Sequence, residues 1–140
     1  CGCLEMYAAG PGIVANYIEL GGRGLLDGKM PDAKYIAELA EAGDSAAIGT
    51  FKLEGYYLGK IIAAACNILN PARVIIGGGV SLAFPIFEKY LSEQVQRSIY
   101  INANKKLKIM PSAFGYDGGL MGAAAVAVCG CNSKHGWGGI

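Results

Sequence analysis

Between Asp44 and Asn70 the apolar positions recur in steps of three and four. Ile48, Phe51, Gly55, Leu58, Ile62, Cys66 and Leu69 form one row, and Leu53, Tyr57, Ile61, Ala64 and Ile68 form a second beside it. Asp44 is placed to cap the start, and Pro71 forbids continuation past Asn70. The pattern predicts one long helix with a wide apolar face, buried against a sheet and a further helix. Before it, the helical period from Leu4 to Glu19 is interrupted by Gly10-Pro11-Gly12, which predicts a short helix, a kink and a second helical stretch. Turn residues follow from Gly21 to Pro31. Asp32 then caps a surface helix running through Ile36, Leu39 and Ala40 to Gly43.

Downstream the period changes. Arg73-Val74-Ile75-Ile76 is a β-branched run between Pro71 and Gly77-Gly78-Gly79 and reads as a buried strand. Pro85 suits the first turn of a helix that continues through Phe87, Tyr90, Leu91 and Val95 to Ser98. Lys106 to Met110 alternates like a strand with one wet face, where Lys105, Lys106 and Lys108 discourage edge pairing. Gly118-Gly119 opens a last helix, Leu120 to Val128, built largely of Gly and Ala. The order predicts an α/β fold with parallel strands joined by a right-handed crossover helix. Two strands are too few for an ordinary sheet, so further strands are expected upstream of Cys1 or from another chain. Three segments emerge: a helical segment with a loop over residues 1–43, an α/β unit with an incomplete sheet over 44–128, and a glycine-rich tail over 129–140.

Composition narrows the function. The chain has 140 residues, 53% hydrophobic and 16% charged, enough apolar side chain to exclude disorder. Twelve basic and 11 acidic residues leave a net charge of +1, too weak a field for nucleic acid or an anionic membrane. The longest uncharged apolar stretch, Gly118 to Cys131, is shorter than the roughly 20 residues a bilayer requires. No basic and apolar leader opens the sequence, so a cytoplasmic setting is expected.

The five cysteines, Cys1, Cys3, Cys66, Cys129 and Cys131, do not form a disulfide scaffold. The two Cys-Gly-Cys pairs suit a soft metal if the termini meet, with four thiolates or three plus His135 around a zinc. The alternative is a set of reduced thiols, with Cys66 in the core and His135 solvated.

Two glycine-rich turns carry the candidate chemistry. Ile76-Gly77-Gly78-Gly79-Val80-Ser81 lies at the carboxyl end of a parallel strand, where ligands bind in open α/β sheets. Its glycines admit close approach of a planar or phosphorylated group, and the helix beyond offers unpaired amides. A tight strand-to-helix turn without a ligand has the same pattern. Phe114-Gly115-Tyr116-Asp117-Gly118-Gly119 follows the second strand in the equivalent place, and both turns are expected to face one crevice. Asp117 reads as the cap of the last helix or as a ligand contact. Glu5, two residues after Cys3, reads by itself as a partner for a helix dipole.

Three segments resemble the ROK family of bacterial sugar kinases and sugar-responsive repressors. Gly2-Cys3-Leu4-Glu5 is similar to the end of its zinc signature, C-x-C-G-x-x-G-C-x-E. Asn67-Ile68-Leu69-Asn70-Pro71 with Val74 to Ser81, and Phe114 to Ala124, resemble its two downstream blocks. The resemblance implies part of an actin-like, ribonuclease-H-like lobe from a glucokinase-like protein that holds ATP, Mg2+ and a hexose. It implies that Glu5 contacts sugar hydroxyls, that Gly77, Gly78, Gly79 and Ser81 lie by the nucleotide, and that Gly115 and Gly118 flank that pocket. Cys3 corresponds to one zinc ligand of a set whose other members precede Cys1, so Zn2+ is not expected to be held here as in the family. The catalytic aspartate also falls upstream, so no catalytic residue is assigned and the segment alone is expected to be inactive. A homodimer is expected, and the effector domain of a ROK-type repressor is the alternative reading.

Overall fold

The computed structural model describes residues 3–24, 29–100 and 106–132. It contains five α-helices and two β-strands among these residues: α1 Gly10–Glu19, α2 Ala33–Glu41, α3 Ser45–Leu69, β1 Arg73–Ile76, α4 Phe84–Ser98, β2 Lys108–Pro111 and α5 Gly118–Asn132. Short 3-10 turns at Leu4–Met6, Gly79–Ala83 and Gly115–Asp117 precede α1, α4 and α5. Among the described residues no helix is long and apolar enough to cross a membrane.

The long helix forms as its pattern predicts. The Asp44 carboxylate accepts from the Ala47 N–H at 2.8 Å, and the Asp32 carboxylate caps α2 through the Tyr35 N–H at 2.8 Å. At its end Asn70 takes a left-handed conformation, φ 46°, and its N–H reaches the Cys66 carbonyl at 2.8 Å. Burial takes the middle of the first apolar row and leaves its ends, Ile48 and Leu69, exposed. Phe51, Ile62 and Cys66 enter the core with Ala47, Thr50, Glu54, Gly55, Gly59 and Ala63, whereas Ile61 is 51% and Ile68 82% exposed. The wide apolar face therefore corrects to one buried stripe beside a second row that is half-buried at Leu53 and Tyr57 and open from Ile61 onward. Its main partner is α4, with α1 and α2 beside it, rather than a sheet.

Glycine sets how closely α3 and α4 approach. A Cβ on Gly55 would lie 2.8 Å from the Leu91 backbone nitrogen and 2.9 Å from the Phe87 carbonyl oxygen, and one on Gly59 would lie 2.7 Å from Gln94 Cβ. The two glycines, one turn apart, let the helix backbones cross where side chains would hold them off. Phe84, Phe87, Leu91 and Val95 then fill the core from α4. The Phe51 and Phe87 rings stack with centroids 6.5 Å apart, and Phe84 meets Phe87 edge-on at 5.5 Å. Asn67 ties the helix ends together: its amide donates to the Ser98 carbonyl at 3.0 Å and accepts from the Tyr100 N–H at 2.9 Å.

Two further expectations are corrected. Gly10-Pro11-Gly12 does not kink a helix but starts one, with Pro11 in the first turn of α1, where its missing N–H costs nothing. Gly12 is required there because a Cβ would fall 2.7 Å from the Met6 carbonyl oxygen. The strand β1 is not buried on both faces. It pairs in parallel with β2, Arg73 opposite Lys108 through Ile76 opposite Pro111. Val74 and Ile76 pack on the core while Ile75 is 63% exposed, because a two-stranded sheet has one face without cover. The second strand begins at Lys108, two residues later than the alternation predicts, and Lys106 precedes it as an exposed residue. Lys105 lies outside the described residues.

The last helix begins at Gly118 and stands off the core. Leu120 is 71% exposed, and Val126 and Val128 are each 61% exposed. Asp117 precedes it, with its N–H donating to the Phe114 carbonyl at 3.0 Å.

Candidate functional site

The turn after β1 is shaped by Gly78, whose φ of 78° is a conformation that side-chain-bearing residues rarely adopt. Ser81 closes the turn from inside. Its hydroxyl donates to the Gly78 carbonyl at 2.6 Å and its backbone N–H reaches the same oxygen at 3.1 Å. Ser81 is buried, so its hydroxyl stabilises the turn. Gly77 and Gly78 have open space where side chains would project. A group approaching there meets backbone rather than side chain.

The two glycine turns meet as expected. A Cβ on Gly79 would lie 2.8 Å from the Tyr116 hydroxyl, and one on Gly115 would lie 3.4 Å from Leu82 Cδ2. Gly115 itself has φ 50°, which turns the chain back toward the first loop. Gly118 opens α5 against Ser112, whose Oγ would be 3.4 Å from an added Cβ. It is Tyr116, rather than Gly115 or Gly118, that lines the space between the turns.

That space is a cleft of about 600 Å³. Gly77, Gly78 and Gly79 form one wall with Val80 and Leu82. Phe51, Leu58, Ile13, Ile76 and Ile86 give it an apolar floor, and α2 forms the facing wall. The size and the apolar floor suit a planar heterocycle, and the glycine wall suits what is attached to it. On α2 the lining residues are Ala33, Lys34, Ala37, Glu38 and Glu41. In sequence this helix reads only as a surface element, and these residues do not stand out. The signal was present, because Lys34, Glu38 and Glu41 share one polar edge at steps of four and three.

Glu5 and Cys3 are not brought into the cleft. Both are exposed at the 3-10 turn Leu4–Met6, and the chain enters the cleft lining only at Ala8, Ala9 and Gly10. This turn is held to the body by the Asn16 amide, which donates to the Tyr7 carbonyl at 3.2 Å, and by Tyr7 against Tyr57 at 5.0 Å. For zinc, the described residues contain no convergent group of three His, Cys, Asp or Glu side chains, so Cys3 lacks a tetrahedral set there. Cys1, the Cys131 side chain and His135 lie outside the described residues. Cys66 is a buried core residue, and desolvation raises its thiol pKa.

Glu54 was also overlooked. It projects from the buried stripe of α3 between Phe51 and Leu58, and neither carboxylate oxygen has a hydrogen-bond partner. Burial pushes its pKa up to about 8. The carboxyl is therefore mostly protonated at neutral pH.

Comparison with known proteins gives one consistent match. The model of the ROK family matches residues 1–129. Among curated proteins, a glucokinase from Halalkalibacterium halodurans is 29% identical over 133 residues, covering 86% of this chain and 39% of that protein. The DNA-binding transcriptional dual regulator NagC of Escherichia coli is 32% identical over 108 residues, covering 72% of this chain and 27% of the regulator. The chain thus spans less than half the length of either relative. Among solved structures, a ROK family glucokinase from Streptomyces griseus in complex with glucose and AMPPNP superposes with a TM-score of 0.80 at 26% identity, over 92% of this chain and 45% of that one.

Proposed function

Because the chain belongs to the ROK family, we propose that it is the nucleotide-side portion of an ATP-dependent, glucokinase-like sugar kinase with an actin-like lobe. One observation carries the reading: a cleft of about 600 Å³ whose wall is the open Gly77-Gly78-Gly79 turn and whose floor is apolar. The likeness to a glucokinase complexed with AMPPNP supports it. In this reading the heterocycle of ATP lies on the apolar floor, and its phosphates, carried with Mg2+, run past the glycine turn. Ser81 keeps that turn in shape, Gly115 and Gly118 place Tyr116 at the mouth, and Glu5 supplies one carboxylate to the sugar hydroxyls. ATP and Mg2+ are the proposed cofactors, and no zinc is assigned. The nucleotide-side unit is placed at residues 44–128, preceded by a helical segment over 1–43 and followed by a tail over 129–140. A cytoplasmic homodimer completes the proposal.

The reaction needs a base for the sugar hydroxyl and groups to screen phosphoryl charge. No residue of this chain is assigned as that base, so binding without turnover is proposed for the chain alone. A coupled assay with ATP, Mg2+ and a panel of hexoses and N-acetylated hexoses tests this, and robust turnover by these 140 residues would refute it. Calorimetric titration with ATP is expected to show binding that Gly78→Val abolishes.

A second reading, the effector domain of a ROK-type repressor, is favoured by the 32% identity to NagC. The sequence preceding residue 1 separates the two: a helix-turn-helix supports the repressor, and an Asp-Gly-Gly-Thr phosphate loop supports the kinase.

A further inference from the structure

α1 and α2 end in the same motif. Past α1 the Gly22 N–H reaches the Tyr17 carbonyl at 2.9 Å and the Gly21 N–H the Ile18 carbonyl at 3.0 Å. Past α2 the Asp44 N–H reaches the Leu39 carbonyl at 3.0 Å and the Gly43 N–H the Ala40 carbonyl at 3.1 Å. Gly21 and Gly43 take the left-handed backbone, φ 88° and 93°, that these reversals require. The first reversal lays Gly22 on the Tyr17 ring, where an added Cβ would collide, and leads the chain to Arg23. The second delivers Asp44 as the cap of α3. Between them lies a pocket of about 260 Å³, lined by Tyr17, Arg23, Tyr35, Leu39 and Asp44 with Gly21 and Gly22. It shares no lining residue with the cleft. Arg23 and Asp44 carry opposite charges on one pocket, yet among the described residues neither forms an ion pair. Asp44 uses Oδ1 on the Ala47 N–H, which leaves Oδ2 to a ligand. The hydroxyls of Tyr17 and Tyr35 make no hydrogen bond among the described residues. Tyr17 is only 2% exposed, but its hydroxyl is not sealed from water, since among the described residues only the Glu54 oxygens are buried without a partner.

We propose that this second pocket binds a free α-amino acid with a short side chain. A simple anion placed there meets the Asp44 carboxylate, and a simple cation meets the Arg23 guanidinium. A molecule with a carboxylate and an ammonium on one carbon satisfies both charges at once. Its ammonium donates to Asp44 Oδ2, beside the C-terminal end of α2, whose unpaired carbonyls add negative partial charge. Its carboxylate accepts from Arg23 and from the hydroxyls of Tyr17 and Tyr35, all of which can donate. Leu39 is the apolar side chain of the lining and receives the ligand's own side chain. Size sets the class: about 260 Å³ is the room of roughly nine water molecules and lies below the ~300 Å³ where drug-sized pockets begin. A nucleotide is therefore excluded, and the site stands apart from the nucleotide reading of the cleft.

The test is titration of the isotope-labelled 140-residue chain, followed by NMR chemical shifts of its backbone amides. The ligands are L-alanine and L-serine, with N-acetyl-L-alanine lacking the ammonium and L-alaninamide lacking the carboxylate. Alanine and serine are expected to shift the amides of Gly21, Gly22, Arg23, Tyr35 and Asp44 and to leave Gly77 to Gly79 unmoved. Each blocked analogue should bind at least about tenfold more weakly, the size of a lost charge-assisted hydrogen bond. Arg23→Gln should cancel the preference for alanine over alaninamide, and Asp44→Asn the preference for alanine over N-acetylalanine, because each removes the partner of the missing group. Asparagine caps a helix as well as aspartate does, and thermal melts check both variants. Arg23 is exposed, so its replacement keeps the test decisive whatever Asp44→Asn does to α3. Equal affinity for alanine and both blocked analogues would overturn the assignment of the two charges. Shifts centred on Gly77 to Gly79 would place the ligand in the cleft and overturn the site. Absence of any shift with either amino acid at about 10 mM would overturn the proposal outright and leave the nucleotide reading standing.

Discussion

Replacing Glu54 with Gln should stabilise the protein at alkaline pH and remove most of the slope of stability against pH. In the folded state the carboxyl is buried, both oxygens lack hydrogen-bond partners, and its pKa is raised from the ordinary 4.5 to about 8. In the unfolded chain it titrates near 4.5. A carboxyl whose folded pKa is the higher one favours the fold only while protonated. Its contribution is therefore fully present below pH 4.5, falls as the pH rises, and is lost once the pH has passed about 8. Each unit of difference corresponds to about 1.4 kcal/mol, so on the order of 5 kcal/mol is lost in full and about 3 kcal/mol by pH 7. Against a typical stability of about 5–15 kcal/mol this is a large fraction. Glutamine carries the amide through the same range without ionising, so the gap between Glu54→Gln and wild type should be smallest near pH 5 and should widen by several kcal/mol by pH 8.5. Urea denaturation followed by circular dichroism at half-unit steps from pH 5 to 9 measures the difference, which cancels the titration of other groups. A difference that stays flat across this range, or a Gln variant less stable at pH 8.5, would refute the placement of an unpaired carboxyl in the core.

Four further outcomes follow from packing, capping and burial. Gly55→Ala should destabilise by about 1–3 kcal/mol in the same urea assay, since the new Cβ meets the α4 backbone at 2.8 Å, and this outweighs the ~1 kcal/mol helix advantage of alanine. Gly122→Ala, in a helix where nothing lies within 4 Å of the added Cβ, should instead stabilise or be neutral. Asp44→Ala should cost about 1 kcal/mol by removing the acceptor of the Ala47 N–H, measured as a lower urea midpoint. Cys66 should resist iodoacetamide in the folded protein and react in denaturant, because it is buried and its raised pKa withholds the thiolate; rapid labelling of the native chain would contradict this.

The extent of legibility differs element by element. Asp32 and Asp44 mark their helix starts because capping is a local exchange between a carboxylate and amides three residues away. The glycines of the turn after β1 are legible for a similar reason, since Gly78 takes a backbone angle that few other residues tolerate. The Gly-Pro-Gly stretch is ambiguous in sequence because the same residues serve a kink or a start, and only the packing of Gly12 on the Met6 carbonyl decides between them. The strand Arg73–Ile76 looks buried because apolar runs do not say how many neighbours a sheet will have. In the cleft, the glycine wall was legible, but the α2 wall was not, since Lys34, Glu38 and Glu41 look like any solvated helix edge until the chain folds across from Gly77.

By itself the sequence determined most local events: which stretches become helix or strand, where Asp32 and Asp44 start their helices, and where glycines leave the backbone bare. These are settled by residues within a few positions of one another, through capping, periodicity and the steric freedom of glycine. The tertiary structure alone decided which of the two apolar rows of α3 is buried, why Gly55 and Gly59 are glycines, and that Glu54 is shut away from water without a partner. It alone set α2 opposite the glycine turn. Each of these depends on contacts between residues far apart in the chain, whose burial and spacing no local pattern encodes.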